Sequence, residues 1–207
     1  MIRPQIYLRP WIWLSRFRHR RGYGVHSPFA FNFITSVCYE RSPYYKYAEL
    51  IKTEKALRDS HGKEWSKGES LKVKRLLFRL VNRTQPHTLV ETGQETSATL
   101  YMQAAKNSMQ VFRLCSIREL QSSLPSQIDF LYLRHADPTF MEATFTHCLT
   151  RCTPNSVFVV RGIHRDKATK QLWKKMKQQA VVTFDLYELG ILFFNENYFK
   201  QDYIVNF

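Results

Sequence analysis

The chain has 207 residues, 44% of them hydrophobic, which is enough to bury the core of one domain with an appendage. Its 31 lysines and arginines against 17 aspartates and glutamates give a formal net charge of +14, which favours either an anionic partner or a solvated basic surface. No stretch is apolar for long enough to span a bilayer, and the four scattered cysteines lack metal-ligand spacing. We therefore expect a cytoplasmic protein with reduced thiols and no metal site.

Residues 1–65 are predicted to form an N-terminal helical cap, separate from a main domain at 66–207. The first 24 residues mix tryptophans with arginines, so they either pack as an amphipathic arm on the domain or lie on a membrane surface or on RNA. Ser27-Pro28 is typical of a cap before a helix starting near Phe29. A second helix is predicted to start near Tyr44.

Residues 66–207 alternate between amphipathic helices and apolar strands. This alternation predicts right-handed βαβ crossovers and an α/β fold with a mainly parallel sheet covered on both faces. A corner at 187–190 predicts an antiparallel hairpin near the end of the chain. Helices are predicted at 70–84, 95–108, 137–152 and 165–179, and strands at 87–92, 110–116, 128–134, 156–161 and 202–207, with the hairpin at 180–195.

Ligands of such sheets bind at the carboxyl ends of the strands, where the strand order reverses. The predicted strands end at residues 91–97, 115–119, 134–137 and 161–165. We expect these four segments to converge on one edge of the sheet.

Several stretches resemble one known family over nearly the whole chain, from about residue 19 onwards. They are GVHSPF at 24–29, PYY at 43–45, a glycine loop after the first strand, the IH step at 163–164 and TFDLYELGILFF at 183–194. With this order of elements, the chain is similar to class I S-adenosylmethionine-dependent methyltransferases, and more narrowly to a group of bacterial methyltransferase-like proteins. The resemblance implies a Rossmann-like methyltransferase sheet.

The resemblance also implies a cofactor site in the loop LVETGQETSATLY. Glu91, Gly93, Thr96 and Ser97 would bind S-adenosylmethionine, the acid through the cofactor's ammonium side and the glycine by close backbone approach. The family loop resembles E-x-G-x-x-x-G-x-S-T, whereas this chain has no second glycine and one residue fewer. A lone glycine leaves open a strand–helix corner that binds nothing.

Three further departures concern the neighbouring strands. The second strand ends at Cys115 and Ser116 where an acid should chelate the ribose, and Glu119 could substitute only in another register. The segment before 128–134 is too short for a βαβ unit, so the third strand unit is predicted to be missing. Arg134 and Arg161 replace acids, and arginine neither ligates a metal ion nor acts as a base near neutral pH.

Basic residues therefore gather at the predicted strand ends. Their convergence suggests an anion site, against the alternative of a rim of solvated arginines. The members of this predicted site are Arg134, His135, Arg161, His164 and Arg165.

Together, these patterns predict a methyltransferase-like protein with weakened or lost catalysis that acts as a binding module. One alternative is an active methyltransferase for a small or macromolecular acceptor, working mainly by proximity and orientation. The other is a basic factor associated with RNA or a membrane surface through the arm and the lysine-rich helix at 165–179.

Overall fold

The structure is a computed structural model that describes residues 9–19, 21–61, 65, 68–122, 124–134 and 137–207. The described helices are α1 (Arg9–Ser15), α2 (Pro28–Phe33), α3 (Lys46–His61), α4 (Leu71–Thr84), α5 (Ser97–Ala105), α6 (Glu119–Ser122), α7 (Pro138–Leu149) and α8 (Lys167–Gln179). A 3-10 turn at Phe17–His19 follows α1, and a π-helical turn at Ile34–Cys38 continues α2.

The described residues form the strands β1 (Thr88–Thr92), β2 (Gln110–Leu114), β3 (Ile128–Leu133), β4 (Cys152–Arg161), β5 (Val182–Asp185), β6 (Leu189–Phe193) and β7 (Gln201–Ile204). These seven strands make one sheet in the order β2-β1-β3-β4-β6-β5-β7. The pairs β1–β2, β1–β3, β3–β4 and β5–β7 are parallel, whereas β4–β6 and β5–β6 are antiparallel. The predicted α/β sheet with its terminal hairpin is confirmed.

The two edges of the sheet depart from a complete Rossmann-like arrangement. Between β2 and β3 the described residues form only the four-residue helix α6, so β2 is an edge strand, as the short connection predicts. At the opposite edge, β7 pairs with β5 in parallel register from Val182↔Gln201 to Asp185↔Ile204. The seventh strand therefore comes from the end of the chain.

Each face of the sheet carries its own hydrophobic core because successive strand residues point to opposite sides. Leu89 belongs to the core beneath α2, α4 and α5, and its neighbour Val90 to the core beneath α7 and α8. Cys148 and Cys152 also lie in the second core. Among the described residues, none of the helices combines the length and apolar character needed to cross a bilayer.

The N-terminal segment packs directly on the sheet. The Ser27 hydroxyl accepts a hydrogen bond from the Ala30 backbone at 3.3 Å, which caps α2 at the predicted place. Phe29, in the GVHSPF stretch, stacks on Tyr198 with 4.3 Å between ring centroids. The next helix, α3, begins at Lys46, two residues after the predicted start. The division at residue 65 stays a prediction.

Candidate functional site

The loop after β1 turns at Gly93, which has a φ of +81°. This left-handed conformation favours glycine because it lacks a Cβ atom. The Gly93 N–H donates to the Leu114 carbonyl at 2.8 Å, which ties the loop to the end of β2. The backbone conformation of the turn thus favours glycine at this position, whether or not a ligand binds.

Glu91 is fully buried, and both of its carboxylate oxygens have partners within the chain. Oε1 lies 2.5 Å from Nε of Arg113, its register partner on β2, and Oε2 accepts a hydrogen bond from the Thr99 hydroxyl at 2.7 Å. Arg113 also pairs with Glu95 at 2.7 Å. The acid that the resemblance assigns to the cofactor is therefore neutralised and hydrogen-bonded internally.

Arg134, at the end of β3, lies against the same loop. Its backbone N–H donates to the Thr92 hydroxyl, which donates to the Arg134 carbonyl, both at 2.8 Å. Its Nη2 donates to the Gln94 carbonyl, and its Nη1 lies 3.9 Å from where a Cβ on Gly93 would be. The guanidinium thus lies beside the glycine that should approach the cofactor. Its Nε is buried with no hydrogen-bond partner among the described residues.

Thr96 and Ser97 open α5 with their side chains buried. Thr96 is the N-cap residue, yet no side chain caps the helix. Neither hydroxyl has a hydrogen-bond partner within the described part of the chain. The two hydroxyls can therefore still form hydrogen bonds with a ligand at the N-terminus of α5. Backbone N–H groups and the helix dipole favour negative charge there.

The Glu119 carboxylate lies at the end of β2 without the change of strand register that was expected from the sequence. Glu119 is the first residue of α6, and its carboxylate folds back onto the strand end. Its oxygens accept hydrogen bonds from the Cys115 N–H at 2.7 Å and from the Ser116 hydroxyl at 3.0 Å. These hydrogen bonds, the one from the Cys115 backbone first, lower the pKa of Glu119. The strand register is regular up to Leu114, so no shift is needed to place this acid.

Arg161, at the end of β4, belongs to a cluster with Tyr132 and Glu69. The Tyr132 hydroxyl donates to Glu69 Oε1 at 2.8 Å, and Arg161 Nη1 lies 3.4 Å from the same oxygen. Burial, followed by the charge of Glu69, raises the pKa of Tyr132 well above its usual value. Glu69 was not predicted as a site residue, because it lies in a polar stretch whose sequence is typical of a loop.

Two further members of the predicted anion site, His164 and Arg165, have carboxylate partners. His164 Nε2 lies 2.6 Å from Oδ2 of Asp185, and Arg165 Nε donates to Asp166 at 2.9 Å. Arg16, from the N-terminal arm, binds the other Asp185 oxygen at 2.7 Å.

Arg134 and Arg161 follow the paired strand residues Leu133 and Val160, so the structure brings these two guanidinium groups to neighbouring strand ends. His135 lies outside the described residues. Whether these groups bind an anion stays a prediction. In the described part of the chain, no three His, Cys, Asp or Glu side chains gather into a group that could hold a metal ion.

Neither a known protein family nor a curated protein matches the sequence. Solved structures do match the fold. The S-adenosylhomocysteine-bound methyltransferase PaMTH1 of Podospora anserina aligns with a TM-score of 0.59 and 8% identity, over 81% of this chain and 96% of that one. The chain has the fold of class I S-adenosylmethionine-dependent methyltransferases.

The O-methyltransferase TomG of Streptomyces achromogenes, in complex with S-adenosylmethionine, gives a TM-score of 0.50 and 13% identity over 80% of this chain and 96% of that one. At such identities the likeness establishes the methyltransferase fold alone. The expected Rossmann-like methyltransferase sheet is confirmed by these structures.

The side chains around Gly93 fit S-adenosylmethionine poorly. The cofactor carries positive sulfonium and ammonium groups, which require acceptors, whereas the Glu91 carboxylate is fully buried and paired inside the chain and Arg134 places a cation on the loop. Among the predicted cofactor residues, Thr96 and Ser97 have buried side-chain oxygens without a hydrogen-bond partner in the described part of the chain. Their binding of the cofactor stays a prediction.

Proposed function

We propose that the protein is a methyltransferase-fold binding module that does not transfer methyl groups. The observation that carries this proposal is the internal pairing of Glu91 with Arg113 and Thr99. Because Glu91 is fully buried beneath these contacts, a ligand's ammonium group could reach its carboxylate only if Arg113 or Thr99 moved away. Breaking this ion pair would cost about 2 kcal/mol, less than for a fully buried pair because the Arg113 side chain is 38% exposed, and that cost would subtract from the affinity for the cofactor.

The charge at the strand ends supports the same proposal. Arg134 and Arg161 stand at neighbouring strand ends where metal-assisted relatives are expected to carry acids. A cationic sulfonium ligand would meet like charges there, and two unit charges about 4 Å apart repel by about 4 kcal/mol in surroundings of intermediate dielectric constant.

Equilibrium dialysis against radiolabelled S-adenosylmethionine, at concentrations up to about 1 mM, tests this proposal. We expect no retention of label above that of a protein of another fold. Retention that saturates at one ligand per chain would overturn the proposal.

An active methyltransferase is the second candidate. The unpartnered hydroxyls of Thr96 and Ser97 and the carboxylate of Glu119 favour it, since they place acceptors in the segments that follow β1 and β2. Such an enzyme would work mainly by holding acceptor and methyl donor in line. If dialysis detects binding, loss of that binding in Glu119→Gln, with Glu196→Gln as an exposed control, would support this candidate.

An anionic membrane surface is the third candidate, as the partner of the N-terminal arm. Trp11 is 70% and Leu14 58% exposed on α1, and Arg18 follows in the 3-10 turn. Exposed aromatic and basic side chains are typical of helices that lie at bilayer interfaces.

Sedimentation with vesicles containing phosphatidylserine, over a range of salt concentrations, tests the membrane candidate. We expect binding that weakens as salt rises and that falls in the double variant Trp11→Ser/Leu14→Ser. Binding to RNA but not to vesicles would contradict the membrane assignment.

A further inference from the structure

A second candidate site lies away from the Gly93 loop, in a groove between α3 and α4. The groove has a volume of about 710 Å³, within the range of roughly 300–1,000 Å³ that is common for small-molecule sites. None of its lining residues comes from the loop at 91–97. The side chains that matter for its chemistry are Arg41, Tyr47, Lys72, Arg75, Arg79 and Phe207.

Three of the cations lie on one face of α4. Lys72, Arg75 and Arg79 are spaced by three and four residues, which places their side chains next to one another along the helix. Like charges at these spacings destabilise a helix by about 0.2–0.5 kcal/mol per pair. No carboxylate among the described residues lies within ion-pair distance of any of the three, although the charge of Glu188 acts on Lys72 and that of Glu40 on Arg79.

Arg79 holds the wall of the groove in place. It is buried, its Nε donates to the Val37 carbonyl at 2.6 Å, and its Nη2 donates to the Cys38 carbonyl at 3.3 Å. Its Nη1 also approaches the Tyr47 hydroxyl at 3.5 Å. These contacts fix a positive charge beneath the groove and leave the other two α4 cations that line it, Lys72 and Arg75, for a ligand.

Arg75 and Lys72 are each set against an aromatic ring. The guanidinium carbon of Arg75 lies 4.8 Å from the centre of the Tyr47 ring, and its buried Nε has no hydrogen-bond partner among the described residues. Lys72 Nζ lies 3.9 Å from the centre of the Phe207 ring. Partial desolvation lowers the pKa of Lys72, the charge of Glu188 opposes this, and the charge of Arg79 lowers it further.

The carboxylate that lines this groove is already engaged. Glu40 Oε1 accepts a hydrogen bond from the Ser42 backbone at 2.6 Å, and this contact lowers the pKa of Glu40. It forms no ion pair with the described cations of α4. The groove therefore combines a net positive lining with the rings of Tyr44, Tyr47 and Phe207.

We propose that the α3–α4 groove is a binding site for a small phosphate monoester that carries a flat aromatic ring. The phosphate dianion binds Lys72 and Arg75, with Arg41 at the mouth, because a guanidinium presents a fork of N–H donors that matches phosphate oxygens. The ring of the ligand packs on the tyrosines and on Phe207. The inference does not depend on the proposed function, since the groove shares no residue with the loop at 91–97.

Calorimetry of the full chain with four probes tests this inference. Phenyl phosphate supplies ring and dianion, inorganic phosphate the dianion alone, phenol the ring alone, and benzoate a ring with a single charge. We expect phenyl phosphate to bind at least about tenfold more tightly than each of the other three. A factor of ten in affinity corresponds to about 1.4 kcal/mol of binding free energy. Equal affinities for phenyl phosphate and benzoate, or for phenyl phosphate and phenol, would overturn the assignment of a phosphate.

Variants locate the site. Lys72→Gln and Arg75→Gln should each weaken phenyl phosphate binding by about tenfold, and Arg75→Lys should restore less than the whole affinity because it lacks the fork. Lys174→Gln, an exposed lysine on α8, is the control with the same change of charge. A loss in Lys174→Gln as large as in Lys72→Gln would show that net charge alone governs binding and would contradict the site. Thermal unfolding confirms that each variant is folded before titration.

Discussion

The Nε atom of Arg113 lies 2.5 Å from Oε1 of Glu91, and this ion pair joins the ends of β1 and β2. The carboxylate is fully buried, whereas the arginine side chain is 38% exposed. Arg113→Met should leave the buried charge unpaired and lower the free energy of unfolding by about 2 kcal/mol, less than for a fully buried pair because water reaches the arginine. Urea denaturation measures this change.

Two further variants make this prediction sharper. Arg118→Met, an exposed arginine nearby in the chain, should change the free energy of unfolding by less than about 0.5 kcal/mol. The double variant Glu91→Leu/Arg113→Met should recover most of the loss, since a buried pair replaced by apolar groups is often neutral. Equal losses in Arg113→Met and Arg118→Met would show that the ion pair does not stabilise the fold.

Two hydroxyls in α5 offer a matched comparison. The Thr99 hydroxyl donates to Glu91 at 2.7 Å, whereas that of Ser97 has no partner among the described residues. Thr99→Val should cost about 2 kcal/mol because it removes a hydrogen bond to a charged group, and Ser97→Ala should cost much less. Thermal unfolding of both variants checks this, and a larger loss in Ser97→Ala would contradict the described contacts.

Asp185 should make the acid stability of the protein depend on the N-terminal arm. Burial raises the pKa of Asp185, but the hydrogen bond from His164 and the charge of Arg16 outweigh it, so the pKa lies below its usual value. A depressed pKa stabilises the fold above the unfolded value of about 3.9 and loses that stabilisation as the pH falls through the folded value.

Asp185→Asn should therefore be less stable than the original chain by about 2 kcal/mol at pH 5, and the gap should narrow towards pH 2. Urea denaturation at a series of pH values measures the gap. Asp59→Asn, at a side chain that is 73% exposed, is the control. A gap that stays constant from pH 5 to pH 2 would show that Asp185 is not stabilised as an anion.

Gly190 tests the packing of α8 on the antiparallel part of the sheet. A Cβ atom at this position would lie 2.5 Å from two ring carbons of Trp173. Gly190→Ala should cost about 2 kcal/mol by overpacking, and the cost should fall in a Trp173→Leu background, where the ring is absent. Denaturation of the two single variants and the double variant measures this coupling. Equal costs in both backgrounds would contradict the contact.

Local patterns allowed much of the fold to be predicted. Ser27-Pro28 marks the start of α2 because serine caps a helix and proline suits its first turn. The short connection after β2 excludes a further βαβ unit for reasons of length alone. Gly93 marks the turn after β1, where its positive φ requires a residue without a side chain.

The partners of the site residues could not be predicted in the same way. Glu69 meets Tyr132 across 63 positions of the chain, and Arg16 meets Asp185 across 169. Such pairs depend on how the N-terminal segment packs on the sheet, which no local pattern encodes. The pairing of Glu91 with Arg113 is easier to predict. Once the strand register is known, the two residues occupy facing positions on neighbouring strands.

The central claim is that the Gly93 loop is closed to the methyl donor by contacts within the chain. Calorimetric titration of the purified protein with S-adenosylhomocysteine tests it most directly, with PaMTH1, which was crystallised with that ligand, as the positive control. We predict no heat of binding up to about 1 mM ligand, which corresponds to less than about 4 kcal/mol of affinity. A saturable heat with a dissociation constant in the micromolar range would contradict the claim.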